Sequence, residues 1–363
     1  MQARPKKELK YFIEMIRVYA IFWVFFIHTG YDGYAHFTRV TPGSREYWTY
    51  MAITIFSKAA VSLFLTITGA VLLHKEDESL GRIWRVRIPR ILFCLVLYSA
   101  FYYALGVYTG DKPASVSEFL TGLYRGKVTV HMGYLYAYVM LLVLLPFTRT
   151  LVQNLKHHYF YYFMFLAVIF GPIISMTEFL LSSGEVAIQY NWTLSCIRVN
   201  YVYYPIIGYF LEQRMSDKER RILLPLFFLM SVALLGMACF ATDMLVILRN
   251  TQDVKQLENF FDFPSFVQAP FIFLLFKEIS THRFPNFLKK FFLAIGPCTM
   301  GVYLTHIFFM RNTPMREIPG LLLAHGFNHV QTSLLFSAIT LVLLYPIIWV
   351  IRKVPVLRYL VGG

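Results

Sequence analysis

Ten apolar stretches, each close to the length of one bilayer crossing, set the first limit on this chain. A helix rises 1.5 Å per residue and the hydrocarbon layer is about 30 Å thick, so roughly 20 apolar residues make one transmembrane span. The stretches fall at about 11–30, 50–73, 88–107, 133–152, 159–176, 192–211, 222–242, 260–279, 291–310 and 332–351. None has the period-2 alternation of a membrane barrel, which leaves an all-α integral membrane protein of about ten transmembrane helices. The seventh and eighth boundaries are the loosest: apolar residues continue past Asp243 to Leu248, and Pro264 and Pro270 interrupt the eighth. With 57% hydrophobic residues, 15% charged ones and a mean hydropathy of +0.55, the chain has too little polar surface to coat a water-soluble globule. No internal repeat, low-complexity tract or soluble domain stands out. Residues 1–363 therefore read as a single polytopic domain, since the longest outer loop, about 108–132, is too short to form another.

An even number of spans puts both termini on one side. The connections on that side hold 22 of the 34 Lys and Arg, the opposite ones nine, and Arg17, Lys58 and Arg198 lie within spans. By the positive-inside rule both termini are cytoplasmic. The formal net charge of +14 is then mostly topological, and a nucleic-acid partner is not expected. Cys94, Cys196, Cys239 and Cys298 sit in apolar runs without metal-ligand spacing, so they read as buried apolar side chains, and no metal site is expected. The first apolar stretch lacks a cleavage-site pattern and reads as a span rather than a signal peptide.

Ionisable residues inside a bilayer are costly, by about 2.5–3.5 kcal/mol on insertion scales, and each is a candidate functional residue. Glu14 and Arg17 are three apart and can pair on one helix face. His28 lies eleven residues after Arg17, three turns plus about 20°, so the two share a face about 16 Å apart along the axis. Arg17 snorkelling inward and His28 closing the outer helix end would be the structural reading. Two ends of one interior path, with a neutral imidazole as general base, would be the chemical one. The stretch Gly81-Arg82-Ile83-Trp84-Arg85-Val86-Arg87-Ile88-Pro89-Arg90 is either a positive-inside anchor or an anion site. Pro89 is expected to place Arg87 and Arg90 on the first turn of the third span, beside free backbone N–H groups.

Together these residues resemble the acyltransferase family 3 of membrane-bound O-acyltransferases. Arg17 and His28 match its arginine and histidine separated by ten residues, and Arg87-Ile88-Pro89-Arg90, or Arg82-Ile83-Trp84-Arg85, matches its Arg-x-x-Arg. Val61 to Ala70 resembles the second-span motif, with Thr68 in place of serine, and Gly301-Val302-Tyr303-Leu304-Thr305-His306 resembles the late Gly-Ile-Tyr-Leu-x-His. His131 to Tyr136 with Pro146 is similar to the fourth span, with Gly133 where tryptophan is usual, and Tyr203 to Tyr209 is similar to the sixth. Glu14 and the short C-terminal tail resemble the branch with enterobacterial common antigen O-acetyltransferase and the intercellular-adhesin polysaccharide modifier.

The resemblance implies a multi-pass enzyme of a bacterial inner membrane, compatible with a homo-oligomer. It would move an acetyl group from cytosolic acetyl-CoA, its donor substrate, to a hydroxyl of a cell-surface or lipid-linked glycan on the extracytoplasmic side. No permanently bound cofactor is implied. Arg17, Arg82, Arg85, Arg87 and Arg90 would hold the acyl-CoA, His28 would act as base or take the acetyl group, and Glu14 would orient or neutralise Arg17. Lys58 and Arg198 would line the path or pair with buried carbonyls, while His131 and His306 would face the acceptor side or serve as structural residues. A glycan or lipid-linked sugar exporter remains the alternative from another class, disfavoured by the lack of inverted repeats. A non-catalytic synthase subunit is a weaker one.

Overall fold

A computed structural model of the chain describes residues 10–75, 78–181, 200–281, 284–355 and 357–361. Helices make up its regular structure. We label them α1 (Tyr11–His28), α2 (Arg45–Leu72), α3 (Leu80–Tyr108), α4 (Val130–Asn154) and α5 (His157–Leu181). They continue as α6 (Asn200–Tyr209), α7 (Asp217–Arg249), α8 (Ser265–Thr281), α9 (Asn286–Arg311) and α10 (His329–Lys353). Among the described residues eight helices are long and apolar enough to cross a membrane, or nine if Val254–Phe260 and α8, bent by 70°, form one span. The first part of the expected sixth span, 192–199, lies outside the described residues, and α6 covers 200–209 of the rest.

The helix ends follow local chemistry. Ser216 begins α7 with a reciprocal capping box, its hydroxyl accepting from the Glu219 N–H while the Glu219 carboxylate accepts from the Ser216 N–H at 2.8 Å. The apolar pattern beyond Asp243 is indeed helical, and α7 runs on to Arg249, where Asn250 ends it at a φ of 44°. Helix α3 starts a full two turns before its expected first residue: Ser79 accepts from the Arg82 N–H, and a π turn over Ile83–Arg87 leads into the regular helix. Proline 89 has no N–H to donate to the preceding turn, and the wide turn, closed by the Ile88 N–H on the Ile83 carbonyl, accommodates it. Arg87 and Arg90 are therefore not at a helix start, and the expected free N–H groups beside them are absent.

The chain divides into two compact units, residues 1–64 with 216–350, and 65–215 with 351–363. In the first, α1 packs on α8 and α9, and α7 packs on α8. Over half of the α1 span (56%) is buried against 22% of the α3 span, so α1 can carry a charge inward while α3 turns Phe93, Val96 and Phe101 outward. In the second unit the end of α2 crosses α6 with backbones almost touching. A Cβ on Gly69 would lie 2.0 Å from the Pro205 carbonyl oxygen, and one on Gly208 would lie 1.9 Å from that of Thr66. Both glycines belong to motifs singled out in the sequence, and their work here is close helix packing. Cys94, Cys239 and Cys298 are buried, as expected of apolar cysteines, and Cys196 lies outside the described residues.

Candidate active site

Helix α1 carries the polar residues of the first unit at both of its ends. Near its start the Arg17 guanidinium reaches both oxygens of Glu14 through Nη1, at 2.7 and 2.9 Å. Glu14 is 2% exposed while the Arg17 side chain keeps 29%, so the carboxylate is the buried anchor and the guanidinium the accessible partner. Space for that carboxylate comes from a missing side chain: a Cβ on Gly296 would lie 2.1 Å from Glu14 Oε2.

At the other end, His28 is the last residue of α1, and its ring centroid lies 5.1 Å from that of His306 on α9. His306 is fully buried, and Phe25 stacks on it at 5.4 Å. The His306 Nδ1 lies 2.6 Å from the Tyr303 carbonyl oxygen. A carbonyl only accepts, so Nδ1 carries the proton and, in the neutral ring, Nε2 keeps its lone pair. Sequence reading marked His306 without its partner, and the structure supplies His28.

Arg311 donates to the His28 carbonyl at 3.1 Å, satisfying an otherwise orphaned group at the helix end. Lys58 occurs where α2 is interrupted, between Arg45–Ser57 and Ala59–Leu72. Instead of a buried carbonyl it meets a carboxylate, Glu258 Oε1 at 3.1 Å, which also accepts from the Tyr34 hydroxyl at 2.8 Å. Burial and the Glu258 charge hold the Tyr34 phenol well above its ordinary value, so it remains a donor. Arg311, Glu258 and Tyr34 escaped the sequence reading, because a pairing across about 200 residues leaves no periodic trace.

The second unit holds the arginine-rich stretch, and its arginines differ. Arg82, Arg85 and Arg90 are exposed, whereas Arg87 turns inward and donates from Nε to Glu78 Oε1 at 2.5 Å. Glu78 is 4% exposed, and its other oxygen accepts from Arg149 Nη2 at 3.2 Å. Arg149 also donates to the Leu72 carbonyl at 3.1 Å. Burial opposes ionisation of Glu78, yet Arg87, Arg149 and Lys75 outweigh it and hold the carboxyl below its usual range. Charge counting over the connections gives Glu78 and Arg149 no individual role; the four-residue spacing from Glu78 to Arg82, 3.6 Å apart, is the available hint.

His131 belongs to this second unit, where it is buried edge-on against Tyr102 at 4.7 Å. Arg198 lies outside the described residues.

Comparison with known families matches residues 10–353 to an acyltransferase domain, that of acyltransferase family 3. No curated protein and no solved structure matches the chain. The match covers nearly the whole chain, from the start of α1 to the end of α10, and so takes in His28, His306 and both arginine groups. The chain belongs to acyltransferase family 3, and it is a membrane acyltransferase.

Proposed function

We propose that the protein transfers an acetyl group from cytosolic acetyl-CoA to a hydroxyl of a cell-surface or lipid-linked glycan, in a bacterial inner membrane with both chain termini in the cytoplasm. The observation that carries this reading is the pairing of His28 with a second imidazole of fixed tautomer, His306, within a matched acyltransferase domain. His28 takes the proton of the acceptor hydroxyl as its oxygen attacks the thioester carbon. The new C–O bond forms, the C–S bond breaks, and the imidazolium returns the proton to the departing CoA thiolate. His306 holds the ring in register. A buried setting excludes water, which would otherwise compete as the acceptor.

The donor phosphates fall to guanidinium forks, which match phosphate oxygens: in the second unit to the Arg82, Arg85, Arg87 and Arg90 stretch, with Arg17 the candidate that the first unit offers. Glu14 anchors Arg17 and takes no part in proton transfer.

Purified protein with labelled acetyl-CoA and lipid-linked glycan acceptors tests the reading. His28→Ala is expected to lower acetyl transfer by about 10²–10⁴-fold, and His306→Ala by about 10²-fold through loss of ring alignment. Unchanged transfer by His28→Ala in an active preparation would remove His28 from the chemistry.

A further inference from the structure

The arginine-rich stretch carries four guanidiniums, and composition alone does not distinguish them. Burial does. The Arg82 side chain is 68% exposed and that of Arg87 is 23% exposed, on a carboxylate that is itself 4% exposed. From there a continuous chain of polar contacts leads to rigid backbone. Arg87 holds Glu78 Oε1, Arg149 holds Glu78 Oε2, and Arg149 ends on the carbonyl of Leu72, the last residue of α2.

We propose that Glu78 is the positioning residue for Arg87, and that this Glu78, Arg87 and Arg149 cluster, rather than the basic character of the stretch, sets affinity for a phosphate-bearing donor. It rests on the reading above, in which Arg87 meets the donor.

Three arguments support it. First, Arg87 engages Glu78 through Nε, one edge of a planar fork, and the edge formed by its two Nη atoms is directed away from that bond, in the geometry that receives a phosphate. Second, three guanidiniums share one carboxylate, the buried Arg149, the half-buried Arg87 and the exposed Arg82 at 3.6 Å, so the group keeps a net positive charge for a second anion. Third, an arginine held in place before binding loses less rotamer entropy when the donor arrives than an exposed one does. The wide turn over Ile83–Arg87 is what sets Arg87 beside Glu78, nine residues earlier in the chain.

Without its charge, residue 78 would leave two guanidiniums facing each other, and Arg87 would be repelled from its place. The test is a double-mutant cycle on the full chain in lipid nanodiscs, reading affinity for CoA by calorimetry, KM and kcat for acetyl-CoA, and thermal unfolding. Glu78→Gln and Arg87→Ala are each expected to weaken CoA binding and raise KM by about tenfold with kcat little changed. The double variant is expected to be no worse than Arg87→Ala, because Glu78 acts through Arg87. Glu78→Asp is expected to recover part of the loss.

The proposal is overturned if Glu78→Gln leaves CoA affinity unchanged, or if the two losses multiply, which is the signature of a purely structural residue. Should Glu78→Gln not fold, Glu78→Gln with Arg149→Gln restores the charge balance and carries the same comparison. If Arg87→Ala itself binds CoA normally, the donor-site reading fails and takes the proposal with it, a result distinct from failure at Glu78 alone.

Discussion

A single absent methyl group at position 296 makes the Glu14 and Arg17 pair possible. Gly296→Ala places its Cβ where Glu14 Oε2 stands, so the carboxylate must leave and Arg17 loses its anchor. The expected outcome is a rise in KM for the acyl donor comparable to that of Glu14→Ala, with stability lowered by about 1–3 kcal/mol, read from kinetics and thermal unfolding together. Gly236→Ala, whose new Cβ meets nothing within 4 Å, is the control and should leave both unchanged. The Glu14 and Arg17 pair was readable from spacing because three residues apart on a helix is a local relation. The partners of His28 and Lys58 were not: Arg311 lies 283 residues from His28, and Glu258 lies 200 from Lys58. Nothing in an amphipathic period encodes such distances.

For whole helices, motifs that look chemical can be steric. Gly69 and Gly208 let α2 and α6 cross with a carbonyl oxygen standing where each Cβ would be. Backbone cannot swing aside as a flexible side chain does, so Gly69→Ala and Gly208→Ala should each cost at least the 1–3 kcal/mol typical of overpacking. A fall in the detergent unfolding temperature for both, exceeding that of Gly236→Ala, is the expected measurement. Among the described residues helix existence was legible in eight of the expected spans, or nine with the bent pair, since twenty apolar residues admit few other fates in a bilayer. Helix starts were less so. The residues before α3 are polar and arginine-rich, which hid two turns of helix, and Pro89 looked like a beginning although it follows a π turn.

For the molecule as a whole, charge asymmetry between connections predicts which way up the chain lies. Single cysteines at Arg125 and Arg221, both exposed, test it from opposite sides. A membrane-impermeant maleimide should label Arg125→Cys in intact spheroplasts and Arg221→Cys only after lysis; the reverse pattern would invert the topology. Cys94, Cys239 and Cys298 are buried, and both variants carry Cys196→Ser to remove the fourth native thiol from the background. The two compact units also differ in kind: among the described residues the three π turns, Ile83–Arg87, Ile169–Ile173 and Phe210–Arg214, all fall in the second. Each is in effect one surplus residue housed inside a helix. A relative lacking it would show a one-residue gap in the middle of a span, where gaps are usually taken for errors. In this chain, removing Trp84 would turn the first wide turn into a regular α turn and leave the helix on either side near its present phase, whereas the same deletion elsewhere in α3 would rotate everything before it by about 100° about the axis.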